Sequence, residues 1–260
     1  MNELALFAGS GGGILGGHLL GWRIVCAVER DAYAAQVLAQ RQNDGTLPTF
    51  PIWSDVCNFD GTPWRGLVDV VSGGFPCQDI STAGNGDGIN GARSGLWREM
   101  ARIVGEVRPK VVYLENSPLL VGRGLALVLG DLAEMGYDAK WCIVSASDCG
   151  APHKRDRTWL VAILRNEENV GLGLHRPPVA NASSLHGERI FERDVDAQIR
   201  NIKGKRSTGS RGFCIRPWPP EPSVGRVADG VAYRMDRLKA IGNGQVPRVA
   251  KYSFLDLTRT

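Results

Sequence analysis

The sequence has no run of about 20 consecutive apolar residues, the length that a membrane-spanning helix needs. Its first residues, MNELALFAGSGGG, also lack the basic region and the cleavage site of a secretory signal peptide. We therefore expect a cytoplasmic protein. The composition, 43% hydrophobic and 22% charged residues in a chain of 260, is that of a globular protein with one sizeable core and a small appendage.

Cysteine and histidine do not cluster in the way that a metal site requires. The six cysteines form no C-x-x-C pair, and no group of histidines is interleaved with them. Neither a zinc site nor a disulfide framework is indicated. We expect no metal ion, and reduced thiols that mostly fill the core.

Acidic residues are absent from one long stretch, residues 198–220. The surrounding segment 165–226 contains 11 Lys and Arg against 7 Asp and Glu, whereas the rest of the chain is balanced, so the net charge of +4 originates there. This basic run suits phosphate contacts, and a solvated loop that is disordered in the free protein is the alternative. Its basic residues are Arg200, Lys203, Lys205, Arg206, Arg211 and Arg216.

The first part of the chain alternates short apolar runs with helical patterns, from LALF and ILGGHLL to RIVCAVE and DAYAAQVLAQR. This rhythm predicts an α/β fold, with a parallel sheet that has helices on both faces. The later runs YDAKWCIVSAS and TWLVAILR predict a paired ribbon that closes the sheet. We expect a catalytic and cofactor-binding domain over 1–165, a small irregular lobe over 166–225, and a segment over 226–260 that returns to the first domain and ends in a helix.

A glycine turn, FAGSGGG from Phe7 to Gly13, follows the first predicted strand and opens a helix. Such a turn lets a ligand approach the backbone closely, but it is also typical of a dinucleotide pyrophosphate loop or of a simple tight turn. Glu29 ends the second strand, where an acid can bind a ribose diol. Asp55 follows the third strand, where it could accept a hydrogen bond from an adenine amino group or be a solvated turn residue.

Two chemically active residue types stand at the ends of neighbouring predicted strands. VDVVSGG runs into FPCQDIS and places Cys77 in a loop at the carboxyl end of a strand, where polar and glycine-rich flanks argue against a buried cysteine. VVYLENSP places Glu115 at the end of the next strand, where desolvation would raise its pKa and let it donate a proton. A helix-cap or turn acid is the alternative for Glu115.

The segments GGFPCQDIS, YLENSP, APHKRDRTWLVAI and AIGNGQVP, in this order, resemble the motif series of the cytosine-C5 DNA methyltransferases. The resemblance covers nearly the whole chain outside the lobe. It implies a Rossmann-like class I methyltransferase sheet, S-adenosylmethionine as cofactor and duplex DNA as partner. It also implies a monomeric DNA (cytosine-5-)-methyltransferase, either of a restriction-modification system or an orphan or phage enzyme.

The resemblance also implies a role for individual residues. Cys77 matches the nucleophile that attacks C6, and Glu115 matches the acid that holds a flipped cytosine. Arg155 and Arg157 match the arginines that grip the cytosine and its phosphate. The residues that match the cofactor site are Phe7, Gly9, Gly11, Gly12, Glu29, Asp55 and Asn243.

The expected DNA contacts lie in three places. Ser81 and Arg93 belong to the loop that would close over the DNA, and His153 stands where the family usually has glutamine. The lobe over 166–225 occupies the place of a target-recognition domain, and its length predicts a short or degenerate recognition site. The lobe residues that we expect to contact DNA are Arg200, Lys203, Lys205, Arg206 and Arg211.

Two alternative functions share this motif series. An RNA cytosine-C5 methyltransferase has the same fold, since one branch of the family modifies transfer RNA. A catalytically inert relative could still hold DNA, although the presence of Cys77, Glu115, Arg155 and Arg157 argues against it. A dinucleotide oxidoreductase is weaker, because its chemistry has no need of the FPCQ and ENSP pair.

Overall fold

The computed structural model describes residues 1–76, 95–165 and 234–259. Its strands are β1 (Asn2–Leu6), β2 (Arg23–Val28), β3 (Ile52–Trp53), β4 (Val70–Gly73), β5 (Val111–Asn116), β6 (Tyr137–Ser145) and β7 (Asp156–Leu164). Its α-helices are α1 (Gly12–Leu19), α2 (Ala32–Asn43), α3 (Gly95–Val107), α4 (Leu120–Arg123), α5 (Leu125–Glu134), α6 (Arg234–Asn243) and α7 (Pro247–Thr258). Three short 3₁₀ turns cover Val56–Asn58, Thr62–Trp64 and Ser147–Cys149.

Within these ranges the strands form one sheet in the order β3-β2-β1-β4-β5-β7-β6. The neighbours from β3 to β5 pair in parallel, whereas β7 pairs antiparallel with both β5 and β6. The predicted ribbon therefore exists, and its second strand, β7, lies between β5 and the ribbon's first strand. The α/β fold predicted from the alternating runs is confirmed.

Side chains of the central strands alternate between two packed faces, as the period of a strand requires. Leu4 and Leu6 of β1 belong to a buried cluster with Met100 of α3, whereas Ala5 belongs to a cluster with Ile14 of α1 and Leu38 of α2. Helices therefore cover both faces of the sheet. Among the helices of residues 1–76, 95–165 and 234–259, none combines the length and the hydrophobicity of a membrane-spanning segment.

The C-terminal helix α7 closes the face that α1 occupies. The sequence predicted a terminal helix, and α7 has proline in its first turn, where the missing N–H of proline is not needed. The Tyr113 hydroxyl of β5 donates a hydrogen bond of 2.6 Å to the carbonyl of Ala250, and the rings of Trp22 and Phe254 meet edge to face with centroids 4.8 Å apart. The connection from α6 to α7 passes over the N-terminal end of α1, where Gln245 lies against Gly12 and Gly13.

The strand order reverses between β1 and β4, because β2 and β3 extend to one side of this pair and β5 to the other. In open α/β sheets the crevice outside the carboxyl ends of strands at such a point is where ligands bind. The glycine turn follows β1, and residues 74–76, which precede Cys77, follow β4. The topology therefore brings both sequence features to one crevice.

Candidate active site

A cavity of about 850 Å³ opens at this crevice. Residues after β1, β2, β3, β4 and β5 contribute to its walls, together with one side of α6. The cavity therefore collects residues that are far apart in the sequence. The predicted site residues that line it are Phe7, Gly9, Glu29, Asp55, Glu115, Arg157 and Asn243.

The glycine turn is held in a conformation that few residues adopt. Phe7 and Gly9 have φ of 53° and 54°, and Gly11, the N-cap of α1, has φ of 87°. These angles lie in the left-handed region, which is strained for a side chain such as that of Phe7 and which non-glycine residues adopt rarely. Because Gly11 donates a 3.0 Å hydrogen bond to the carbonyl of Ala8, the turn is tight and exposes its backbone to the cavity.

Glu29 fixes this turn to the end of β2. Its Oε2 accepts a 2.6 Å hydrogen bond from the amide of Gly9, and its Oε1 accepts one of 2.6 Å from the amide of Asp31. A carboxylate oxygen has a second lone pair, so both oxygens can still accept hydrogen bonds from a ligand. The geometry is compatible with a pair of vicinal hydroxyl groups.

Asp55 lies on the same side of the cavity, at the end of β3. Its Oδ1 accepts a 3.0 Å hydrogen bond from the amide of Cys57, and this bond lowers the pKa of the Asp55 carboxyl below its usual value. The side chain is therefore an anionic acceptor at neutral pH. The position after the third strand, predicted from the sequence, is the one observed.

Arg102 of α3 braces the 3₁₀ turn that Asp55 caps, a role that the sequence did not indicate. Its guanidinium donates to the carbonyls of Val56 at 2.9 Å and Phe59 at 3.0 Å. It also forms ion pairs of 2.8 Å with Glu99 and 2.7 Å with Glu106 on its own helix. The guanidinium group of Arg102 therefore fixes a turn that borders the cavity.

The opposite wall comes from α6, which sequence reasoning had assigned no function apart from Asn243 at its end. Asp236, Lys239 and Asn243 line the cavity from this helix. Lys239 forms an ion pair of 2.6 Å with Asp31, which caps α2, and this contact raises the pKa of the lysine ammonium. The pair joins α6 to the side of the cavity that carries Glu29.

Glu115 and Arg157 meet at the far end of the cavity. Glu115 ends β5, is only 8% exposed, and accepts a contact of 2.8 Å on its Oε1 from the Nε of Arg157 on β7. Burial raises the pKa of the Glu115 carboxyl, and the positive charge of Arg157 opposes this rise in part. The desolvated carboxyl predicted from the apolar run before it is thus present in the structure.

The strand end that leads to Cys77 is fastened to β5. The Asn116 side-chain amide donates a 3.0 Å hydrogen bond to the carbonyl of Phe75. A Cβ atom on Gly74 would lie 2.7 Å from Oε2 of Glu115, which is closer than real contacts allow. Glycine at this position therefore lets the glutamate pack against the backbone that enters the predicted nucleophile loop.

Arg155 contacts the connection between α6 and α7. Its Nη2 donates to the carbonyls of Gly242 at 2.7 Å and Gly244 at 2.8 Å, on either side of Asn243. The guanidinium thus holds the connection between α6 and α7 in the described structure. His153 lies partly buried on the segment between β6 and β7.

Two glycines of the predicted cofactor turn lie behind the cavity wall. A Cβ on Gly11 would meet the side chain of Leu38 at 2.8 Å, and one on Gly12 would collide with the carbonyl of Gln245. Both therefore serve close packing around the start of α1. Gln245 belongs to the motif AIGNGQVP, but the sequence indicated no role for its side chain.

The remaining predicted site residues cannot be compared with the structure, because they lie outside the described ranges. Cys77, Ser81 and Arg93 fall between β4 and α3. The lobe residues fall between β7 and α6. The latter are Arg200, Lys203, Lys205, Arg206 and Arg211.

Comparison with solved structures agrees with this architecture. A DNA modification methyltransferase encoded within a prophage (E. coli) matches with a TM-score of 0.53 and 26% identity over 63% of this chain and 47% of that one. A DNMT2 from Spodoptera frugiperda matches with a TM-score of 0.55 and 20% identity over 68% of this chain and 53% of that one. The second likeness shows the fold alone.

Comparison with known sequences identifies the family. The Type II methyltransferase M.Eco47II of Escherichia coli is 34% identical over 223 residues, which are 84% of this chain and 52% of the relative. The chain thus spans about half the length of this relative. A sequence model of the C-5 cytosine-specific DNA methylase family matches residues 1–213. This chain therefore belongs to the C-5 cytosine-specific DNA methylase family.

Proposed function

We propose that this chain is a DNA (cytosine-5-)-methyltransferase that acts on a cytosine flipped out of duplex DNA. The observation that supports this most directly is the ion pair of the buried Glu115 with Arg157, which faces the same cavity as Glu29 and Asp55. One end of the cavity offers groups that can hold and protonate a base. The other end offers acceptors that suit a nucleoside.

The donor that we propose is S-adenosylmethionine. Glu29 would accept hydrogen bonds from the ribose hydroxyls, Asp55 would accept one from the adenine amino group, and Asn243 would pack beside them. The tight turn at Phe7 to Gly13 leaves room for close approach, which fits a nucleoside ligand. When bound, S-adenosylmethionine supplies a methyl group on a positively charged sulfur.

Cys77, which follows Pro76 directly, would be the nucleophile. Cytosine C5 is a weak nucleophile, and addition of the Cys77 thiolate to C6 makes it enamine-like. Glu115 would give its proton to N3 during this addition, so that no negative charge builds up on the ring, while Arg157 would hold O2. After methyl transfer to C5, loss of the C5 proton to water would expel the thiolate, and N3 would return its proton to Glu115.

C5 and C6 lie inside the stack of a duplex, so the base must leave it before Cys77 can attack. The cost of extrusion is a few kcal/mol, which contacts to the flipped base must offset. Arg93 and Ser81 of the loop and the basic lobe over 166–225 would contact DNA around it. We propose a short or degenerate recognition site for this lobe, which bisulfite sequencing of DNA from expressing cells would reveal.

The test is covalent trapping on duplex DNA that contains 5-fluorocytosine, with S-adenosylmethionine present. The fluorine cannot leave as a proton does, so the Cys77 adduct should accumulate and be visible by denaturing electrophoresis. Cys77→Ala should abolish the adduct, whereas Cys142→Ala on β6 should retain it. Absence of adduct across a panel of DNA sequences, with donor binding shown separately, would contradict the proposal.

The same assay separates the alternatives. An adduct on 5-fluorocytosine transfer RNA but not on duplex DNA would favour the RNA enzyme, and DNA binding without any adduct would favour an inert relative. Membership in the C-5 cytosine-specific DNA methylase family favours the DNA enzyme. The cytoplasmic location, the monomeric state and the absence of a metal stay predictions.

A further inference from the structure

Gln245, in the connection between α6 and α7, is fixed by its main chain from two sides. Arg155 donates hydrogen bonds to the carbonyls of Gly242 and Gly244 just before it. The Gln245 carbonyl lies so close to Gly12 that no Cβ would fit there. The glutamine backbone therefore rests on the first turn of α1, and its side chain starts from a defined point.

The Gln245 side chain reaches from α1 to Glu115. Its Oε1 lies 2.5 Å from the point where Gly13 would carry a Cβ. Its Nε2 lies 3.1 Å from the corresponding point on Gly74, and Oε2 of Glu115 lies 2.7 Å from that same point. An ionised carboxylate only accepts hydrogen bonds and an amide nitrogen only donates them, so the amide nitrogen is the group that faces Glu115.

We infer that Gln245 is a positioning residue for Glu115, holding Oε2 while Arg157 holds Oε1. This inference rests on the proposed function. Two donors, one on β7 and one on the connection between α6 and α7, then fix the plane of the carboxyl that receives the base. Because the other end of the amide rests on α1, the glutamine links the donor-binding turn to the base-binding end of the cavity.

The hydrogen bond from Gln245 also affects the proton on Glu115. It lowers the pKa of the carboxyl, against the larger effect of burial. The other charged or titratable groups that act on Glu115 in the described ranges are Arg157 and Arg155, which favour its charged form, and the buried phenol of Tyr113. Loss of the glutamine donor should therefore leave Glu115 protonated to a higher pH.

The test compares Gln245→Met, which keeps the length of the side chain but removes its donor, with wild type and with Gln40→Met, an exposed glutamine on α2. Methyl transfer to duplex DNA is measured as a function of pH. In wild type, activity at high pH should fall as Glu115 loses its proton. In Gln245→Met this fall should move to higher pH. The kcat should drop about tenfold, because the carboxyl loses one of the two donors that fix its plane, and the KM for S-adenosylmethionine should stay within about twofold.

A pH profile of Gln245→Met that superimposes on the wild-type profile would overturn the inference. So would an equal loss of rate at every pH, with the fall in activity at the same pH as in wild type. If Gln245→Met does not fold, Gln245→Asn keeps the amide but withdraws it by one methylene, and the same shift is expected. A wild-type protein that transfers no methyl group would overturn the proposed function and this inference together. If the wild-type protein is active and Gln245→Met has the same rate and pH profile, the inference alone would be overturned.

Discussion

The two ends of the cavity use carboxylates in opposite ways. At one end Asp55 is exposed to solvent and accepts a hydrogen bond from a backbone amide, which lowers the pKa of its carboxyl. At the other end Glu115 is buried against Gly74 and Arg157, and burial raises the pKa of its carboxyl. The first is set up to remain an acceptor, whereas the second is set up to carry a proton.

This difference shows why residue type alone does not assign a role. Both residues are acids at the carboxyl end of a strand, and the sequence positions are equivalent in that respect. What separates them is burial, which outweighs the donors around Glu115 and is a smaller effect than the backbone hydrogen bond at Asp55. A site that binds a nucleoside donor and protonates a base needs one acid of each kind.

Glu115→Gln tests the end of the cavity that would receive the cytosine, and we expect it to have the largest effect of the substitutions considered. The amide fits the same space but cannot give a proton to N3, so kcat for methyl transfer should fall about a thousandfold, within the range of general acid catalysis. The Kd for S-adenosylmethionine, measured by calorimetry, should stay within about twofold. The matched control is Glu134→Gln, an exposed glutamate at the end of α5. A loss of less than about fivefold in kcat would remove Glu115 from the chemistry.

Glu3→Gln tests how burial changes the pKa of a carboxyl that has no cationic partner among the described residues. Glu3 of β1 is 1% exposed, accepts a 2.5 Å hydrogen bond from the hydroxyl of Ser72, and has no partner for its Oε2 among the described residues. Burial raises its pKa from 4.5 to about 8. The unfolded chain therefore loses this proton near pH 4.5 and the folded one only near pH 8, so the free energy of unfolding should decrease as pH rises through that window.

Glu3→Gln removes this linkage and should be more stable than wild type by about 4 kcal/mol at pH 8, while the two proteins converge at pH 4. Urea unfolding at both pH values measures the difference. A difference that does not change with pH would show that Glu3 is ionised in the folded protein.

Asp55→Asn tests the end of the cavity that would bind S-adenosylmethionine, and we expect it to have the smallest effect of the substitutions considered. Asparagine can still accept the amide hydrogen bond of Cys57, but it presents a neutral group to the adenine, so the Kd for S-adenosylmethionine should rise about tenfold with kcat within about twofold. The control is Asp60→Asn, because Asp60 accepts the same kind of bond from Thr62 at 2.9 Å and does not line the cavity. Equal donor affinities in the two variants would contradict a donor contact by Asp55.

Much of the site follows from local sequence. Glu29, Asp55 and Glu115 were expected at strand ends because an apolar run followed by an acid predicts both the strand and its end, and these positions are confirmed. Their distribution around one cavity follows from the βαβ rhythm, since parallel strands bring their carboxyl ends to the same edge. The roles of these residues in catalysis and binding stay proposals.

The sequence by itself predicted the α/β class with its closing ribbon, the glycine turn and the acids at the strand ends, because the apolar runs, the helical periodicity and the residue that follows each run can be recognised locally. The tertiary structure alone decided which groups those acids meet. Arg155 binds carbonyls 87 and 89 residues away, and Arg102 binds carbonyls 43 and 46 residues away. Gln245 reaches Glu115 only because α7 packs across α1. Contacts of this range depend on how helices cross the sheet, which no local pattern encodes.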